Sequence, residues 1–198
     1  MDRANGAELP LIDEKNKRHG MYLAQMQIGA SDQVVLVKFT PKYNEDAHRL
    51  LADQDLAPTL HFCARVIGGM YMVVMEYIPN SRGWSLDPLS SADDPPSPPK
   101  PEVIRRDISK ALGLLHGQDL VFGDLREANS LYLPEGGGRV LLVDFDGVGL
   151  DGKDRYSPCL NPDLELGVKR WQIMEKKHDN ENLERMMKRV SERYPSVQ

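Results

Sequence analysis

"LVFGDLREANSLYL" occupies residues 120–133, and its reading decides how the rest of the chain is interpreted. Apolar residues stand at both ends, yet Asp124, Arg126 and Asn129 fall in the middle. A continuing core strand or helix would not place three strong polar groups there, because burying them costs free energy unless each is paired. The stretch is therefore either an ordinary loop or the place where chemistry happens. Asp124 and Asn129 have the spacing D-x-x-x-x-N, which is common by chance. Its meaning depends on what surrounds it.

Working outward, residues before the loop carry a helical pattern. Ile104, Ile108, Ala111, Leu112 and Leu115 recur at one-face spacing, Pro101 suits the helix start, and Gly117 suits its C-cap. After the loop, NSLYL and RVLLVDF (139–145) are apolar runs around PEGGG, which predicts a hairpin. Gly136–Gly138 lack the following helix and the Lys-Ser/Thr of a phosphate loop, so they read as a turn. The second run ends in Asp144-Phe145-Asp146-Gly147.

Further upstream, MYLAQMQI (21–28) and QVVLVKF (33–39) read as strands joined at GASD. NEDAHRLLAD (44–53) has Ala47, Leu50 and Leu51 at helical spacing. LHFCARVI (60–67) and MYMVVMEYI (70–78) flank Gly68-Gly69, a hairpin signal. Residues 86–101 hold six of the 14 prolines and read as a spacer, with a proline-recognising protein partner as its other use. Residues 150–167 look irregular. Leu183, Met186, Met187 and Val190 form the core-facing stripe of a C-terminal helix.

Bulk properties narrow the function classes. The chain has 198 residues, 40% hydrophobic and 28% charged, as expected of a globular protein with one large domain or two small lobes. A net charge of −5 argues against a nucleic-acid or anionic-membrane surface. No run reaches the roughly 18 apolar residues of a membrane helix, and MDRANGAELPLIDEKNKRHG has no apolar signal core. The two cysteines, Cys63 and Cys159, make no disulfide framework. The expected place is therefore intracellular, cytoplasmic or nuclear. His61 and Cys63 share a strand face without a second ligand pair, so they read as a buried structural pair rather than half of a metal site.

Taken together, these stretches resemble the protein-kinase-like superfamily over about residues 21 to 149, and more loosely to Asp179. VLVK (35–38) resembles the V-A-I-K strand, and YMVVMEYIP (71–79) resembles the strand running into the adenine-gripping hinge. FGDLREAN (122–129) resembles the catalytic loop H-R-D-L-x-x-x-N, and is similar to the H-G-D-L-x-x-x-N loop of aminoglycoside and choline kinases. DFDG stands where D-F-G is expected. YNEDAHRLLADQDLAPTL, LVFGDLREAN, LLVDFDGVG and the later RYSPCLNP and KKHD resemble a family of small kinase-like proteins abundant in fungi.

The resemblance implies an α+β, bilobal, truncated protein-kinase-like fold. Residues 1–20 would be a frayed or disordered N-terminus and 21–78 a small antiparallel-sheet lobe with a short helix. Residues 79–101 would be hinge and Pro-rich linker, and 102–198 a reduced helical lobe. It also implies ATP and Mg²⁺ as cofactors and transfer of the γ-phosphate to a hydroxyl, that of a protein Ser/Thr in the first place and of a small hydroxyl compound as the alternative. Lys38 would neutralise phosphates, with Asp46 (or its neighbour Glu45) as its acidic partner. Glu76, Tyr77 and Ile78 would hold adenine through the backbone. Asn129 and Asp144 would ligate the metal. Asp124 would take or orient the acceptor's proton, and Arg126 would touch the transferred group.

Several positions depart from the kinase pattern. Before Lys38 the glycines are Gly6, Gly20 and Gly29, which make no G-x-G-x-x-G. Phe122 stands for the catalytic-loop His, and Asp146 occupies the glycine position of D-F-G. Only 52 residues follow Asp146, with no A-P-E. Those departures imply the other expectation, a pseudokinase or interaction module that keeps nucleotide binding without turnover.

Overall fold

Strand, helix and turn signals of the sequence come together in an α+β fold. The computed structural model describes residues 20–87, 98–158 and 167–195. The expected frayed terminus up to residue 19, residues 88–97 of the Pro-rich stretch, and the CLNP segment with Cys159 lie outside the described residues.

Two compact units divide the chain. One takes in residues up to Tyr43 and Pro58–Tyr77; the other takes in Asn44–Ala57 and the chain from Ile78 onward. The first unit is a four-stranded antiparallel sheet. β1 (Met21–Ile28) and β2 (Ser31–Thr40) form a hairpin across Gly29-Ala30. β3 (Leu60–Arg65) and β4 (Tyr71–Glu76) form the second, in the spatial order β1-β2-β4-β3. Gly29, Gly68 and Gly69 all have positive φ, which these tight connections need and which glycine adopts without a Cβ clash. β2 and β4 are the interior strands, and Val35, Val73, Val74 and Met75 are buried. β3 is an edge strand with a register shift between Leu60 and Phe62. This is why His61 and Cys63 are half-buried rather than the buried pair the sequence suggested.

The second unit begins with α1 (Glu45–Ala52), whose N-cap Asn44 accepts the Ala47 N–H at 2.9 Å. Glu45 and Asp46 lie in its first turn, where negative charge suits the helix dipole. The chain then returns through β5 (Trp84–Ser85) to α2 (Pro101–His116). Its whole apolar stripe, Ile104, Ile108, Ala111, Leu112 and Leu115, is buried. Each large member contributes about 1.5–3 kcal/mol of hydrophobic stabilisation. β7 (Ser130–Leu133) and β8 (Arg139–Leu142) form the expected hairpin, and β5 joins its edge. β6 (Leu120–Val121) pairs with β9 (Gly149–Leu150), bracketing the polar loop and the DFDG turn. α3 (Lys176–Arg193) packs on α2 with Leu183, Met186, Met187 and Val190 buried. Among the described residues, no helix is long and apolar enough to cross a membrane.

Candidate functional site

β6 releases the chain into the polar loop at Phe122, and β9 captures it again after the DFDG turn. The two irregular segments between them are pressed together. At Gly123, φ is +80°, and a Cβ there would lie 2.7 Å from the Gly147 carbonyl oxygen and 2.6 Å from Met174 Cε. On the facing side, a Cβ on Gly147 would meet Asp124 Cβ at 3.2 Å. Glycine at 123 is therefore a condition for bringing Asp124 beside the DFDG turn. Gly123→Ala combines positive-φ strain with a backbone collision, and should cost about 2–4 kcal/mol in urea unfolding.

Asp124 lies at the centre of a polar cluster. Asn129 Nδ2 donates to its backbone oxygen at 2.9 Å and to its carboxylate Oδ2 at 2.8 Å. Arg126 Nε approaches Oδ1 at 3.0 Å as an ion pair, but without hydrogen-bond alignment. The Asp124 side chain keeps 21% of its exposure. Burial pushes its carboxyl above the ordinary carboxylate range; Arg126 and the Asn129 amide pull it back, while the charge on Asp144 adds to the rise. Asn129 is itself buried, on a single 3-10 turn, Glu127–Asn129. With its NH₂ committed to Asp124, its amide oxygen is the atom left to ligate a cation.

Asp144 has φ 70° and ψ 70°, a left-handed conformation that costs a non-glycine residue about 1–3 kcal/mol. Its neighbour Phe145 is fully buried. It stacks on His48 of α1 with ring centroids 4.6 Å apart and meets Phe122 edge-on at 5.7 Å. The Asn44 N–H donates to the Phe145 carbonyl at 3.3 Å. The turn bearing Asp144 is thus held by the start of α1 on one side and by the polar loop on the other.

The loop is anchored by a residue the sequence reading left without a role. Asp179, in the first turn of α3, is fully buried and accepts the N–H groups of Phe122 at 2.8 Å and Gly123 at 3.0 Å. His116 Nε2, at the end of α2, lies 3.0 Å from the same carboxylate. A sequence signal existed: Asp179 stands four residues before Leu183, on the apolar stripe itself, where an unpaired carboxylate would be untenable.

The chain is similar to the kinase PK-1 of Cydia pomonella granulovirus, with a TM-score of 0.67 and 15% identity, over 93% of this chain and 70% of the viral one. The fold is protein-kinase-like. No family model and no curated protein matches the chain.

Within the kinase-like fold, Asp124, Arg126 and Asn129 are brought together in the second unit, with Asp144 close enough to repel Asp124. Asp46 is also in the second unit, exposed on the first turn of α1. Lys38 lies on β2 of the first unit, opposite Met21 and Val73 in register. Glu76 ends β4, and its carboxylate accepts the Thr59 N–H at 3.3 Å. Tyr77 closes the first unit and Ile78 opens the second, so the unit boundary runs through the segment assigned to adenine. Among the described residues, no group of three or more His, Cys, Asp or Glu could hold a metal.

Proposed function

We propose that the chain is an ATP- and Mg²⁺-dependent phosphotransferase of the protein kinase type, moving the γ-phosphoryl group to a hydroxyl of a protein Ser or Thr. The observation that carries this reading is the Asp124–Asn129 pair beside the left-handed Asp144. The Asp144 carboxylate and the Asn129 amide oxygen are the donors a hard divalent cation takes, and its charge would also relieve the repulsion between Asp144 and Asp124.

In this reading Asn129 and Asp144 hold Mg²⁺, which supplies neutralisation of phosphate charge. Asp124 accepts the proton of the acceptor hydroxyl, and Arg126 steadies the transferred group. Lys38 faces the inner phosphates with Asp46 as its acidic partner, and the backbone from Glu76 to Ile78 holds adenine. The motifs VFGDLREAN and DFDG support membership of the fungal kinase-like group. The use of ATP and the lack of a disulfide framework in the sequence support an intracellular location, cytoplasmic or nuclear.

The missing G-x-G-x-x-G favours a second reading, a pseudokinase that binds nucleotide without turnover. Thermal unfolding with and without Mg·ATP tests nucleotide use. The parent protein should be stabilised in a concentration-dependent way, about 2.7 kcal/mol at a hundredfold excess over Kd. Asp144→Asn tolerates the left-handed backbone but loses the charge, and should lose most of the Mg²⁺-dependent part. No shift in the parent protein rejects both readings; a shift without phosphate transfer selects the second.

A further inference from the structure

α3 grips the polar loop twice. Asp179 holds its start, at Phe122 and Gly123. Ten residues on, about 15 Å along the helix axis, Arg189 forms a two-pronged pair with Glu127. Nε lies 2.6 Å from Oε1 and Nη2 lies 3.0 Å from Oε2. Glu127 opens the 3-10 turn that ends at Asn129.

The same turn is held along its backbone. Ser85 Oγ donates to the Glu127 carbonyl at 3.3 Å, and Ser130 Oγ to the Arg126 carbonyl at 3.1 Å. A cavity of about 290 Å³, lined by Leu86, Glu127, Arg189, Val190 and Tyr194 among others, opens beside the pair. The Arg189 side chain is accordingly 41% exposed, against 15% for Glu127. An ion pair this wet adds little to global stability. Its two parallel contacts instead fix direction, which a planar guanidinium does better than any other cation.

We propose that Arg189 is a positioning residue. By clamping Glu127 it sets the turn that aims Asn129 at Asp124, and so holds the metal-side amide in register for phosphoryl transfer. The proposal rests on the phosphotransferase reading for its consequence, while the clamp itself is testable without activity.

The experiment uses the full chain and three variants: Arg189→Met, Arg189→Lys, and the charge exchange Glu127→Arg with Arg189→Glu. The first readout is the side-chain NH₂ of Asn129 in ¹⁵N NMR. In the parent it should resist solvent exchange, because both its partners are on Asp124. Arg189→Met should reduce that protection about tenfold. The Phe122 and Gly123 amides should stay protected, and Tm should move by no more than about 2 °C. Arg189→Lys should fall between, and the charge exchange should recover most of the loss. The second readout is transfer: kcat should fall about tenfold with KM for ATP unchanged, the pattern of a misplaced group.

An unaltered Asn129 signal in Arg189→Met overturns the clamp. So does a joint loss at Asn129, Phe122 and Gly123 together with Tm, which would mean a general structural role. If Arg189→Met does not fold, the charge exchange decides: a folded protein with an unprotected Asn129 amide overturns the proposal. A parent that neither binds nor turns over Mg·ATP refutes the phosphotransferase reading, whereas the NMR arm judges the clamp by itself.

Discussion

Asp179→Ala is expected to destabilise the protein by about 3–5 kcal/mol and to abolish any activity of the polar loop. The carboxylate is fully buried and serves three partners: two backbone N–H groups of the loop and the His116 ring. Removing it leaves two buried N–H donors without acceptors, each costing about 1–3 kcal/mol. The contribution of the charged partner to those bonds is lost as well. Asp179→Asn separates the effects. Its single amide oxygen can accept from one N–H, but its NH₂ faces donors that it cannot satisfy. It should therefore retain part of the stability and almost none of the loop order. Urea unfolding measures the first effect, and amide exchange at Phe122 and Gly123 the second. If Asp179→Ala unfolds with the parent's midpoint, Asp179 is no anchor.

How much of this was legible in the sequence follows from what each feature depends on. The hairpin of β1 and β2 and that of β3 and β4 were readable because alternation and turn glycines are local signals. α2 and α3 were readable because a buried helix face repeats every three or four residues. β5, β6 and β9 were not: each is two residues long and exists only through a distant partner, Trp84 with Tyr132 or Leu120 with Leu150. In the site, Asp124 and Asn129 stood out through their motif. Asp179 and His48 were hidden in plain view, since both occupy helix positions that face the core, where the pattern was read only for its apolar members. Glu127 and Arg189 are 62 residues apart, and nothing in either neighbourhood names the other. Only the packing of α3 against the loop reveals the pair.

Asp124→Asn should lower phosphate transfer by about 10²–10⁴-fold, the usual worth of a positioned acid or base. It should leave Mg·ATP binding nearly intact, because Asn129 and Asp144 remain. The substitution is conservative in shape, and the new amide oxygen can still accept from Asn129 Nδ2. What changes is proton affinity. In the folded protein burial raises the Asp124 carboxyl above its ordinary value of 3.8, and Asp144 adds to that rise. The folded state therefore binds this proton more tightly than the unfolded state does. Protein stability from this group is greatest below the unfolded pKa and declines as pH rises toward the folded one, then levels off. Asp124→Asn should flatten that part of the stability profile. Mg·ATP should shift the decline to lower pH, since a cation held by Asn129 and Asp144 would offset the Asp144 charge and so favour the ionised Asp124 carboxylate. The acid limb of turnover should report the same group, rising with pH above the range of a free aspartate. Equal transfer by parent and Asp124→Asn removes Asp124 from the reaction. A lost transfer with an unchanged pH–stability profile would mean that the carboxylate positions the acceptor rather than taking its proton.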